Sequence, residues 1–248
     1  MAACTKESTP VYNPNIKSSL SVEFDNIAGA SDLNLNTGVY TNTSGENFSV
    51  SKLKYFVSNF IFTSTDGSLY KVPQDSCYFL IDESDASTHE PVIHLPQGEY
   101  KTIQFTIGID SLRSTMAMDK PLGVLDISGA GADMYWSLDS GYIFFNIEGI
   151  STASGTGDFK YHIGGYGATT SPVLNNIHTI ILDLSARGMP IVATGHEPNI
   201  HLMVDILKVF NGTPSISIAT NPFVGFDDFS RVVSGNYTDM FRHDHTEN

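Results

Sequence analysis

Basic residues are scarce in this chain: 13 lysines and arginines stand against 27 aspartates and glutamates, a net charge of -14. Such a surface repels phosphate backbones and argues against a nucleic-acid partner. It suits cations better, although the carboxylates are scattered rather than run together, so the charge is equally readable as a solubility device. Long apolar runs are missing too. No window nears the roughly 18 uninterrupted apolar residues of a membrane helix, so membrane attachment would have to come from a lipid. The standard catalytic signatures are also lacking: there is no Gly-x-Ser-x-Gly elbow, glycine-rich phosphate loop, Cys-x-x-Cys pair or dinucleotide fingerprint. Carboxylates such as Asp133, Asp139, Glu148, Asp227 and Asp228 could serve a glycosidase, but no spacing singles out a pair. His196-Glu197-Pro198-Asn199-Ile200-His201 fails as a zincin helix, because its histidines are not four apart and a proline lies between them. The chain therefore reads as a non-enzymatic protein.

Cysteine is nearly absent, with two in 248 residues. Cys77, in Ser76-Cys77-Tyr78-Phe79, reads as a small buried hydrophobe. Cys4 follows Ala2-Ala3 and precedes the polar run Thr5-Lys6-Glu7-Ser8-Thr9-Pro10, which resembles the end of a bacterial lipoprotein signal, where small residues precede the lipidated cysteine. A chance cysteine and a Cys4–Cys77 disulfide are the alternatives, the latter disfavoured because a chain terminus gives it no fixed geometry. Lipidation at Cys4 is the preferred expectation. It implies export to the periplasm or outer membrane, a tether over residues 1–18 and a single folded domain over 19–248.

Tryptophan occurs once. Trp136 sits in Met134-Tyr135-Trp136-Ser137 and is joined through Ser140-Gly141 to Tyr142-Ile143-Phe144-Phe145-Asn146-Ile147, whose aromatic and β-branched content suits a strand buried on both faces. An oxidisable indole at a sheet end suits a ligand or redox site, and a core plug is the blander reading. Glycines 123, 129 and 131 before the motif and 155 and 157 after it mark long loops near 110–133 and 150–158, where sites commonly sit.

Elsewhere the dominant period is two. Lys101 to Ile109 alternates apolar with small or polar residues and predicts a half-buried strand. Lys52 to Thr63, followed by Asp66-Gly67 and Leu69 to Val72, predicts a β-hairpin. Further strands are expected at 19–24, 78–82, 142–149, 160–164, 177–184 and 200–210, with a short helix within 221–240 in which Phe226, Phe229 and Val233 share a face. The sum is an all-β protein: a single β-sandwich of mostly antiparallel strands with long loops and a short C-terminal helix.

Histidine supplies the candidate ligands. His243-Asp244-His245 places two imidazoles at i and i+2, which face one way on an extended segment and could help close a metal site; an exposed polar tail is the competing reading. His178 and His201 fall in expected strands as structural histidines, and His89 and His94 flank a turn.

Three segments carry a family resemblance. They are Tyr40-Thr41-Asn42 through Gly45-Glu46-Asn47-Phe48 to Leu53-Lys54-Tyr55-Phe56-Val57-Ser58-Asn59; Gly108-Ile109-Asp110 with Gly123-Val124-Leu125-Asp126; and Met134-Tyr135-Trp136 through Ser140-Gly141-Tyr142 to Glu148-Gly149, with Tyr161-His162-Ile163-Gly164-Gly165 beyond. Together they resemble the MbnP-like domain, the methanobactin-associated periplasmic protein family. The resemblance implies an exported all-β protein, often a lipoprotein, and in some members copper bound through histidines and a tryptophan oxidised to kynurenine by a di-haem peroxidase-like partner enzyme. It places His162 as a copper ligand and Trp136 as the residue that would become kynurenine; His243 and His245, from their own spacing, are the candidate further donors. Imidazole suits copper. Two departures stand out: relatives place a histidine where Asn26 stands, and a second tryptophan where Leu138 stands. The alternative function is a glycan- or protein-binding surface with Tyr135, Trp136 and Tyr142 as a stacking platform.

Overall fold

The computed structural model describes residues 12–115, 123–137, 140–167 and 173–248; Cys4 and Leu138 lie outside them. Alternating burial builds two sheets. In the first strand, Lys17–Ala28, Leu20, Val22 and Phe24 point inward while Ser21, Glu23 and Asp25 point out. It pairs in parallel with Asn199–Asp205, which pairs on its other side with the C-terminal strand Phe241–Glu247. With Ser31–Asp32 and Val92–Pro96 these make a five-stranded sheet.

The larger sheet winds around the long strand Asn47–Ser64, which lies between Gly98–Ile107 and Gly141–Ser151. Asp158–Gly164 and His178–Asp183 extend it on either side. The two sheets meet through aromatic rings. Phe24 stands edge-on to Tyr55 and Phe105, at 6.3 and 5.7 Å between centroids, and Phe241 packs on Phe105 at 5.2 Å. Edge-to-face pairs of this kind add to the burial that drives the sheets together. The architecture is the expected all-β sandwich, mostly antiparallel.

A second, smaller core lies on the outer face of the large sheet. Leu125 and Met134, from the segment before Trp136, cover Phe56, Leu80, Tyr142 and Phe144. That cover is why Tyr142 to Ile147 is buried on both faces. The predicted hairpin is present, with Phe62 opposite Tyr70 and Gly67 at φ 88° in its turn.

Two elements differ from expectation. The segment 200–210, predicted as one strand, stops at Asp205, and Leu207–Asn211 is a short helix. Ile206, Val209 and Phe210 are buried while Lys208 is exposed, a helical spacing that an apolar run of this length does not distinguish from a strand. The terminal helix spans Ser230–Tyr237, so Phe226 precedes it and does not share its face. Among the described residues, no helix is long and apolar enough to cross a membrane.

The helix holds a pH-sensitive contact. His178 donates or accepts at Ser234 Oγ, 3.2 Å away, and stands edge-on to Tyr237; burial pushes its imidazole below the ordinary value of 6.5. The unfolded chain therefore binds the extra proton first as pH falls. Its contribution to stability is complete above pH 6.5 and declines below it, down through the depressed folded value. Denaturant midpoints measured from pH 8 to 5 should fall less steeply for His178→Gln than for the native chain.

Candidate functional site

The outer face of the large sheet brings Trp136 and His162 to one rim. Trp136 lies in Tyr135–Ser137, which pairs with the start of Gly141–Ser151; Gly141 opens that strand opposite Ser137 at φ 76°, a conformation that glycine adopts without strain. His162 lies on the adjacent strand, directly opposite Asn146. The two rings line a shallow, open cleft of about 380 Å³ together with Lys160, Phe223, Val224 and Asp227. Phe226 stands edge-on to the indole at 5.6 Å and holds it from one side. On the other side Gly164 leaves the space the indole needs: a Cβ there would sit 3.0 Å from Trp136 Cζ3.

The charges around His162 are ordered by register. Glu148, two residues from Asn146, accepts a hydrogen bond from His162 Nε2 at 3.1 Å and an ion pair from Lys52 at 3.3 Å. A carboxylate can only accept, so Glu148 selects the Nε2–H tautomer and leaves Nδ1 with the lone pair. Partial burial pushes the Glu148 carboxyl up, but His162 and Lys52 together bring it below its ordinary value. The oxygen of Asn146, across the ladder from His162, is buried and without a hydrogen-bond partner. A buried acceptor left unpaired in this way is costly and marks a place where a polar ligand or water belongs.

Asp227 does not add a free donor, because its carboxylate caps the backbone amides of Gly225, Phe229 and Ser230. Of the two rings at this rim, only His162 offers a nitrogen lone pair, on Nδ1. An indole offers only an N–H donor, whereas kynurenine carries a ketone oxygen and an aryl amine.

The other predicted ligands lie elsewhere. His243 and His245 do not face one way: His201 is opposite His245 and Leu202 is opposite His243, so Asp244 is the extra residue of a β-bulge that breaks the alternation. His243 points inward, donates or accepts at Thr246 Oγ1 at 3.0 Å, and is held below its ordinary pKa by burial. His245 points out beside His201 and Asp244. The C-terminal segment is an ordered strand rather than a polar tail. His201, expected as a satisfied structural histidine, has its Nε2 buried without a hydrogen bond.

Three further residues resolve plainly. Asn26, the departure from the histidine of relatives, is satisfied: it accepts from Tyr55 at 2.9 Å and donates to Glu83 at 2.9 Å. Cys77 is buried, as expected of a small hydrophobe. Tyr142 is buried, with its hydroxyl donating to the Leu125 carbonyl, so it cannot belong to an exposed stacking platform.

The sequence profile of the MbnP family matches residues 17–226. The chain belongs to the MbnP family. Among solved structures, MbnP from Methylosinus trichosporium is similar, with a TM-score of 0.55 over 86% of this chain and 82% of that chain, at 14% identity. At that identity the likeness supports the fold and nothing finer. No curated protein matches the chain. The MbnP profile covers strands of both sheets, while the helix Ser230–Tyr237 and the edge strand Phe241–Glu247 lie beyond the residues it matches.

Proposed function

We propose that this MbnP-family protein is a non-enzymatic copper-binding protein of the bacterial envelope, anchored by a lipid on Cys4. Its copper site is the Trp136–His162 rim. The observation that carries this reading is the convergence of the single indole and one imidazole, 26 positions apart, on one cleft with an orphaned Asn146 oxygen behind them. His162 supplies a borderline nitrogen donor suited to copper. Glu148 orients that imidazole from behind, as the outer partners of metal-bound histidines do. Trp136 contributes after oxidation to kynurenine by a di-haem peroxidase-like partner. A bound copper ion would be stored or handed on.

The test compares protein made with and without the partner enzyme. Intact mass reads the conversion directly, because kynurenine has lost one carbon of tryptophan and gained one oxygen. Oxidised protein is expected to take up one cuprous ion tightly, and His162→Ala to lose it. Equal cuprous affinity in His162→Ala and the native chain would overturn the assignment. A glycan- or protein-binding role would then lead, restricted to Tyr135 and Trp136 because Tyr142 is buried.

A further inference from the structure

The outer face of the five-stranded sheet holds a second constellation that the Trp136 rim does not use. Register puts Glu23, His201 and His245 in one row across three strands, since Glu23 is opposite His201 and His201 is opposite His245. The bulge at Asp244 turns its carboxylate to the same side. His201 Nδ1 and His245 Nδ1 are 3.2 Å apart, His245 Nδ1 is 3.0 Å from Asp244 Oδ2, and His201 Nδ1 is 3.9 Å from the same oxygen. Three basic atoms thus converge on one gap, and a single proton on one Nδ1 cannot satisfy all of them.

A metal ion can. Two nitrogens bound tetrahedrally at about 2.0–2.1 Å stand roughly 3.3 Å apart. The His201–His245 and His245–Asp244 separations match this, while the 3.9 Å from His201 Nδ1 to Asp244 Oδ2 is about 0.6 Å wider, so the partly exposed Asp244 side chain must swing inward to complete a tetrahedron. The surroundings match what metal-bound imidazoles need on their far nitrogens. His201 Nε2 lies 3.4 Å from Asp25 Oδ2 and 3.9 Å from Glu23 Oε1, and His245 Nε2 lies 3.5 Å from Glu247 Oε1. With Asp244 Oδ2 accepting from His245 Nδ1–H and His201 Nε2 without a hydrogen bond in the metal-free protein, a bound ion would take the place of the Nδ1 proton and leave the far nitrogens to donate to these carboxylates. Arg242 and Arg187 engage the other oxygen of Asp244, at 3.2 and 3.7 Å, and so leave Oδ2 turned to the imidazoles. Solvent reaches the gap, with the His245 and Asp244 side chains 43% and 25% exposed, so an ion can enter and a water can take the fourth position.

We infer that His201, Asp244 and His245 form a second metal site, separate from the Trp136 rim, for a divalent first-row cation of the zinc type. Two imidazole nitrogens with an anionic, hard carboxylate oxygen, a donor the Trp136 rim does not offer, favour a borderline divalent ion over a soft cuprous one. The site does not depend on kynurenine and stands or falls independently of the copper reading.

Protein expressed without the partner enzyme and stripped of metal is the material for the test. Calorimetric titration with Zn²⁺ should show one saturable equivalent, and Co²⁺ should give the intense visible absorption of four-coordinate cobalt. His201→Ala and His245→Gln should each abolish both signals, and Asp25→Asn should weaken zinc binding roughly 10–100-fold. His162→Ala should bind like the native chain. His245→Gln lies on an exposed edge strand, so native circular dichroism in that variant separates loss of the site from loss of the fold. A folded native chain without saturable zinc binding, zinc binding unaltered in His245→Gln, or loss of binding in His162→Ala would each overturn the inference.

Discussion

Phe105→Ala is expected to destabilise the fold by about 3–5 kcal/mol, the usual cost of removing a fully buried phenylalanine from a core that cannot collapse around the gap. Phe105 has no exposed surface. It belongs to the large sheet, yet two of its ring contacts, Phe24 at 5.7 Å and Phe241 at 5.2 Å, come from the five-stranded sheet, and a third, Phe60 at 5.7 Å, comes from its own. Its loss therefore opens a void at the junction of both layers, where neither sheet can move inward without dragging its ladder. Against a typical total of about 5–15 kcal/mol this is a large fraction. Urea denaturation should show a lower midpoint with an unchanged slope. Phe105→Leu, which keeps most of the volume, should cost markedly less. Equal midpoints for Phe105→Ala and the native chain would mean that the sheets do not share this layer.

The same junction relates to both candidate sites. The Trp136 rim and the His201 cluster sit on outer faces of different sheets, with the shared aromatic core between them. Each is built from outward positions of strands whose inward positions form that core: His162 alternates with Tyr161 and Ile163, and His201 with Ile200 and Leu202. Rigid strands hold such side chains more closely than loops would. The two sites differ in donor chemistry, so their ion preferences should separate, with cuprous ion tracking His162 and divalent ions tracking His201 and His245.

How much of this was readable without coordinates follows from the range of each signal. Alternation is local, so Ile103, Phe105 and Ile107 declared their strand directly, and Asp66-Gly67 declared its hairpin. The strand at Tyr78–Asp82 matched its expected bounds because its short apolar run is closed by polar residues. Ile206 to Phe210 misled because a buried strand and a buried helical turn look alike over five residues. The sites needed pairing information that no local pattern contains. His201 became a candidate ligand only once the ladder placed it against His245, 44 positions later. A bulge at Asp244 reversed the expected parity of His243 and His245, and a one-residue shift of this kind turns a side chain to the other face. The Trp136–His162 convergence was legible only through resemblance, since Glu148 as the orienting carboxylate depends on the register between neighbouring strands. The run His243-Asp244-His245 marked the segment, but the partner that completes the cluster, His201, came only from the ladder.

Gly164→Ala should disturb the Trp136 rim from within the sheet and lower stability by about 1–3 kcal/mol, the ordinary range for overpacking. The added Cβ would sit 2.3 Å from the Tyr142 carbonyl oxygen, a backbone atom that can move only with its strand, and 3.0 Å from Trp136 Cζ3. Gly164 pairs opposite Ile143, where the ladder already shifts register, so the easiest relief is to push the indole and its strand away from the sheet. Trp136 is the only tryptophan, and its fluorescence therefore reports on this one place. Emission should shift to the red as the ring gains water, and the oxidised variant should bind cuprous ion more weakly because the modified side chain is pushed out of the cleft it shares with His162. Gly155→Ala is the matched control, since nothing lies within 4 Å of its added carbon; it should leave emission and stability unchanged. If both alanine variants melt and fluoresce alike, the close approach of Trp136 to the sheet is not what shapes the rim, and the copper assignment loses its geometric support while the zinc test on the opposite sheet is unaffected.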